Sequence, residues 1–391
     1  MRRFAAAPAA LSVALALSVA GCGGHGRHAR AVPGELSIYT SLPFEGPYSA
    51  QAQAIYDGER LALAQTGGVV GGEKVVLRRL DDAGSGTGSE PNVVALQAHI
   101  AAGDPSTIAY IGELTPGSSV ASIRILSQAG ILQVSPGDTA TGLAGRTFAR
   151  VVPPDSDEAQ AELAAMDRLA VKTLYLVGDR TTYGRNMATA VLADAASDGI
   201  TVLDPREHYL SGANRALVLA IKRSKATAVL YAGSPSALVA PFWNALSAAD
   251  GAAKKFASAT VTEVPSWAQT TPAARYNSYL SAPGLLLNRG LPRAGSQFEA
   301  DFVATYGGRA QWASGIFGYV AMSGVLWALH SLGRRPTDVR AGIVSAFLRV
   351  RNLPSALGAY SIVGGQSTFS AYYFTTYTRS GVATTFIPGV A

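Results

Sequence analysis

The chain has 391 residues, 48% of them apolar and 15% charged. That balance excludes a disordered or fibrous chain, and the length allows two hydrophobic cores. The formal charge is +6, but Arg2 and Arg3 lie in an N-terminal leader; without them 30 basic residues stand against 26 acidic ones, and no Lys/Arg cluster points to nucleic acid.

The leader comes first. Met1-Arg2-Arg3 is a short basic head, and residues 4–20 form an uncharged Ala/Leu/Val run that is short and Ala-rich for a membrane span. Small residues follow in Val19-Ala20-Gly21, so 1–21 reads as a secretory signal. Cys22 is the only cysteine, which rules out an internal disulfide. Val19-Ala20-Gly21-Cys22 resembles the lipobox of bacterial lipoproteins, and that resemblance implies cleavage before Cys22 and a lipid on its thiol. Residues 22–34, rich in Gly, His and Arg, read as a flexible tether, with His25 and His28 solvated. Gly21 to Gly26 satisfies G-x-G-x-x-G, but it follows no strand and opens no helix, so it carries no dinucleotide.

From residue 36 the pattern alternates. A strand over 36–39 runs into Thr40-Ser41-Leu42-Pro43-Phe44-Glu45-Gly46-Pro47, dense in turn residues. A helix over 49–65 stops at Gly67-Gly68. A strand over 74–80 ends in Asp81-Asp82, and Ser89-Glu90-Pro91 starts a helix to 102. Strand 107–111, helix 120–129 and strand 131–134 continue the order. Residues 148–152 and then Pro153-Pro154-Asp155, with its stiff Pro-Pro, read as a crossing between lobes. The rhythm then restarts: helix 157–169, strand 173–177, helix 183–197, strand 201–203, helix 214–223, strand 228–231, helix 236–248 and strands at 256–259 and 285–287. Helices at 297–306, 313–332 and 337–350 precede a tail whose alternating Tyr, Phe and Thr predict antiparallel strands. Trp312, Phe317, Tyr319 and Trp327 read as helix packing. A βαβα order predicts parallel sheets with helices on both faces.

The stretch from Ile111-Gly112-Glu113-Leu114-Thr115-Pro116-Gly117-Ser118-Ser119 to Ser135-Pro136-Gly137-Asp138-Thr139 is the candidate site. Two successive strands end there in hydroxyl residues and free backbone N–H groups, a setting suited to a carboxylate. The same residues also read as ordinary helix caps.

Taken together, Ser41-Leu42-Pro43 through Gly46-Pro47, Asp81-Asp82, Tyr110-Ile111-Gly112 with Ser118-Ser119, Gly130-Ile131 through Thr139, and Thr182-Tyr183-Gly184 resemble the solute-binding proteins of ABC transporters in the branched-chain amino-acid (Leu/Ile/Val) group. The likeness covers 35–391 and is clearest over 36–190. It implies the type I periplasmic binding protein fold, α/β with two Rossmann-like lobes, parallel sheets flanked by helices, and three inter-lobe crossings, placed near Val152, Pro283 and Leu353. Lobe 1 is then 35–151 with 284–352, and lobe 2 is 152–283 with 353–391. The resemblance also implies a solute in the cleft, an ABC permease as partner, a monomer anchored outside the cytoplasm, and no cofactor or metal. Ligand contacts carried over by position are Ser41, Gln51, Thr115, Ser118, Ser119, Asp138 and Thr139 in lobe 1, and Tyr183, Ser234 and Glu263 in lobe 2.

This chain departs from the group at the site. Pro116 stands where amino-acid binders carry Ser, and offers neither hydroxyl nor N–H. Asp138 stands where a small uncharged residue is usual, and a carboxylate there repels an anion unless it points away. Gln51 lies where relatives often place Tyr, and the expected acid aligns nearer Thr260 than Glu263. Nothing in the sequence matches a nucleophile elbow, a P-loop or a zinc-protease helix, and His99, His208 and His330 are scattered. The alternative roles are a sensor that presents its solute to a membrane receptor and an envelope hydrolase, which needs a base near Ser118.

Overall fold

The computed structural model describes residues 35–84, 88–206, 208–212, 214–262, 264–284, 291–307, 312–333 and 338–386. The signal and tether expected over 1–34, with Cys22, lie outside the described residues, as do Glu263 and the strand expected at 285–287.

The chain opens with β1 (Leu36–Leu42), α1 (Ser49–Gln65), β2 (Val69–Val70), β3 (Glu73–Asp81), α2 (Pro91–Gly103), β4 (Thr107–Ile111), α3 (Ser119–Gln128), β5 (Leu132–Ser135) and β6 (Phe148–Arg150). A second series follows: α4 (Asp155–Arg168), β7 (Thr173–Gly178), α5 (Thr182–Asp194), β8 (Thr201–Leu203), α6 (Arg215–Ser224), β9 (Ala228–Ala232), α7 (Val239–Ala249), β10 (Lys254–Ser258), α8 (Pro272–Arg275) and β11 (Ser278–Pro283). The C-terminal part adds α9 (Arg293–Tyr306), α10 (Trp312–Ser331), α11 (Val339–Leu348), β12 (Ile362–Val363), β13 (Gln366–Ser367), β14 (Tyr372–Tyr377) and β15 (Ala383–Phe386).

These strands make two sheets, ordered β12-β13-β6-β5-β4-β1-β3-β2 and β15-β14-β11-β10-β9-β7-β8. β1 is buried along its whole length and runs parallel to β3 and β4. A strand buried on both faces reads as a continuous apolar run, which is how β4 looks in sequence, whereas β1 buries Ser37, Thr40 and Ser41 as well. Alternation assigns the faces. Leu36 and Ile38 join the cluster of α1, α10 and α11, and Tyr39 joins the cluster of α2 and α3. The second sheet is likewise covered on both sides, by α4 and α5 and by α6 and α7.

Helices α1 and α10 meet through glycine. A β-carbon on Gly58 would lie 2.0 Å from the Gly315 carbonyl oxygen, and one on Gly318 would lie 2.1 Å from that of Ile55. Only glycine allows so close an approach. The segment Ala313–Ser331 is long and apolar enough to cross a membrane, but here it is the core helix of the first lobe.

Two details differ from the expectation. The third crossing is not near Leu353. Leu353 and Tyr360 exchange backbone hydrogen bonds, Ile362 N–H donates to the Val350 carbonyl, and Gln366 on β13 pairs with Arg150 on β6. Residues 353–367 therefore stay with the first sheet, and the chain crosses at 368–371 before β14 joins β11 antiparallel. The second detail is β11, a strand the pattern missed. Its inward serines look polar, yet Ser278 Oγ receives the Trp243 indole N–H at 3.0 Å.

Candidate functional site

Parallel strands of both sheets end at one gap. Its walls come from the loops after β4, β5, β9, β10 and β11, the first turn of α1, α4, α10 and β14. The gap is a cavity of about 410 Å³. Clefts at the carboxyl ends of parallel strands are where such sheets hold ligands.

The first-lobe wall is built around Asp138, which is fully buried. Its Oδ1 accepts the Gly117 N–H at 2.7 Å and the Ala140 N–H at 3.1 Å, and its Oδ2 accepts the Ser119 N–H at 2.8 Å. Burial pushes its pKa up, and the Gly117 and Ser119 amides oppose that rise. The next turn is tied down as well. Ser135 Oγ accepts N–H groups from Gly137 and Asp138, and the buried Arg150 guanidinium donates to the carbonyls of Asp138 (3.0 Å) and Ala140 (2.7 Å).

The second-lobe wall carries acids. Asp155, Glu158 and Glu162 follow one another at spacings of three and four on α4, so they share a face, and all three are buried. Glu158 lines the cavity and accepts a hydrogen bond from Ser281 Oγ at 2.7 Å. Asp155 Oδ2 accepts from Asn186 Nδ2 at 2.9 Å, and its backbone N–H donates to the Thr139 carbonyl at 2.7 Å across the first crossing. Burial pushes Asp155 and Glu158 up to about 7, and Glu162 well above the usual range. Tyr372, 2% exposed, also lines the cavity, and its hydroxyl has no hydrogen-bond partner among the described residues.

Of the residues named from the sequence, Gln51, Thr139, Tyr183 and Ser234 reach the cavity wall. Ser234 is already partly engaged, its N–H donating to Asp179 at 2.6 Å and its Oγ to Thr181 Oγ1 at 3.0 Å. Ser41, Thr115, Ser118, Ser119 and Asp138 do not line the cavity. Ser41 Oγ donates to Asp82 at 3.1 Å, behind the wall. Thr115 Oγ1 accepts the Ser89 N–H at 3.3 Å, and Ser118 Oγ donates to the Thr115 carbonyl at 2.5 Å. Ser119 and Asp138 are bound to each other. Glu263 lies outside the described residues.

Sequence reasoning missed Glu158, Ser281, Tyr372 and Phe317 as lining residues. For Glu158 a signal existed: the acids at 155, 158 and 162 fall on the same side of α4 as Ala159, Leu163 and Met166, which are buried. Among the described residues no group of His, Cys, Asp or Glu is arranged to hold a metal ion.

The periplasmic binding protein family model matches residues 38–381. The chain is 30% identical over 211 residues to the Leu/Ile/Val-binding protein BraC3 of Rhizobium johnstonii, an alignment covering 51% of this chain and 54% of that one. The match thus spans about half the length of that curated relative. A leucine-binding protein of Thermotoga maritima superposes with a TM-score of 0.75 at 18% identity, covering 90% of this chain and 97% of that one. A solute-binding protein of R. palustris, solved with benzoate, gives 0.73 at 17% identity, with 92% and 98% covered. Two sheets with crossed connections, a cleft at their strand ends and a family match along nearly the whole described chain lead to one conclusion: this chain belongs to the periplasmic binding protein family and has its type I fold.

Proposed function

We propose that this protein captures a small solute between its lobes outside the cytoplasm and hands it to an ABC permease. It is exported by the signal over 1–21 and held at the membrane by lipid on Cys22. The observation that carries the reading is the cavity of about 410 Å³ walled by loops of both sheets. A ligand that touches both walls favours the closed arrangement of the lobes, and only that difference in contact shifts the population. Gln51 and Thr139 are the contacts from the first lobe. Tyr183, Ser234 and Ser281 are those from the second, with Glu158 as its acid. The printed names of relatives, which concern leucine, isoleucine and valine, support a solute of similar size.

Thermal-shift screening of the purified full chain in detergent against amino acids, amines, amides and aromatic acids tests the reading. A true ligand at a hundredfold excess over its dissociation constant raises stability by about 2.7 kcal/mol. A library that leaves the transition unmoved throughout contradicts solute capture.

A further inference from the structure

We propose that the solute is an amine without a carboxylate, its ammonium seated at Glu158 and its apolar body against Ile55, Leu114 and Phe317. This rests on the capture reading above and names the chemical class of the ligand. It follows from which charges the two walls have left to offer.

Most donors of the first-lobe loops after β4 and β5 are engaged from within. Pro116 has no N–H, and the amides of Gly117, Ser119 and Ala140 already hold a carboxylate, that of Asp138. The amides of Gly137 and Asp138 turn to Ser135 Oγ. The Ser118 hydroxyl turns to a carbonyl. The Thr139 hydroxyl stands against the Asp155 carboxylate. The seat that would receive a ligand carboxylate therefore contains one supplied by the protein. A second anion there would meet Asp138 at close range in a dry setting, where like charges repel strongly.

The cavity also lacks a positive partner for an anion. Among its described lining residues none is Lys, Arg or His. Arg150 is a buried cation outside the lining, and its Nε and Nη1 donate to Gln366 and to the Asp138 and Ala140 carbonyls. Against this, Glu158 faces the cavity with one oxygen held by Ser281, and Asp155 lies on the same helix face. The Tyr372 hydroxyl, without a partner among the described residues, is a further acceptor for an N–H group. A buried carboxylate is stabilised by a paired cation and by hydrogen bonds, and the described protein provides Glu158 with the hydrogen bonds but no paired cation. The rest of the wall includes Ile55, Leu114, Val152 and Phe317, suited to an aliphatic or aromatic body.

Calorimetry on the full chain in detergent tests this with two charge-graded series. One series is 3-methylbutylamine, 3-methylbutanol, leucine and 4-methylpentanoate. The other is 2-phenylethylamine, 2-phenylethanol, phenylalanine and 3-phenylpropanoate. In the series that fits, the amine is expected to bind at least tenfold more tightly than the amino acid and the acid. Glu158→Gln is expected to lower the amine-to-alcohol affinity ratio at least tenfold. Amino acid or acid binding as tightly as the amine overturns the inference and leaves solute capture intact. If neither series binds, the library of the preceding section decides: cationic hits without a carboxylate support the inference, neutral or anionic hits overturn it, and no hit of any charge removes the capture reading with it. The ranking on the unaltered chain needs no variant to fold.

Discussion

The two walls of the cleft start from the same raw material and finish with opposite chemistry. Each is made of strand-end loops and a helix start, rich in hydroxyls and small residues. In the first lobe the loop after β4 folds its amides onto Asp138, so its positive ends are neutralised from within. In the second lobe α4 turns three carboxylates inward, and Glu158 reaches the cavity with hydroxyls around it and no basic residue among its described neighbours on the wall. A helix start or a strand-end loop is thus only a potential anion seat. Which charge it offers to a solute depends on whether a side chain from elsewhere takes the donors first.

Removing that side chain is the harshest way to break the comparison. Asp138→Ala strips the acceptor from three N–H groups, those of Ser119 and Ala140 buried and that of Gly117 partly so, and each buried unsatisfied group costs about 1–3 kcal/mol. A loss of roughly 3 kcal/mol or more in denaturant unfolding is expected. A loss below about 1 kcal/mol would show that the loop after β4 does not depend on this carboxylate.

The second-lobe wall is sharpened by pH. Asp155, Glu158 and Glu162 have folded pKa values raised by burial, the first two to about 7. The folded state therefore holds protons that the unfolded chain has released, and stability falls as pH rises from the ordinary carboxylate range through about 7. Groups facing Glu158 are Asp155 and Glu162 on its own helix, Tyr183 on α5, Ser281 on β11 and Tyr372 on β14; Arg150 and Asp138 bear on Asp155 from the first lobe. For Glu158 alone the fall between pH 5.5 and 8 amounts to about 2 kcal/mol. Urea melts of the ligand-free chain at those two pH values are expected to show a loss that shrinks by about that amount in Glu158→Gln. Equal slopes in the two proteins would place Glu158 in a solvated, ordinary setting.

Much of the scaffold was legible because its signals are local. A buried parallel strand such as β4 is a nearly continuous apolar run, and Pro91 with Gly67-Gly68 mark helix ends. β11 was not legible, since Ser278 and Ser281 look like surface residues until Trp243 and Glu158 are brought to them. The third crossing was misplaced for a similar reason: the pairing of Gln366 with Arg150 spans more than two hundred residues. At the site, the sequence showed that Asp138 was unusual beside a carboxylate seat. It did not show that Asp138 closes the seat, because the donors it accepts from lie about twenty residues upstream. Glu158 was legible only through helix phase, which sets it on the side of α4 that carries Ala159, Leu163 and Met166 although the segment is rich in acids.

Proton release reports directly whether a cation comes to rest beside Glu158. At pH 7 a carboxyl titrating at about 7 is half protonated, and an arriving ammonium drives it to the charged form. Calorimetry of amine binding in two buffers of different ionisation enthalpy is expected to show release of on the order of half a proton, abolished in Glu158→Gln. Binding enthalpies that coincide in the two buffers, or a release that persists in the variant, would contradict it.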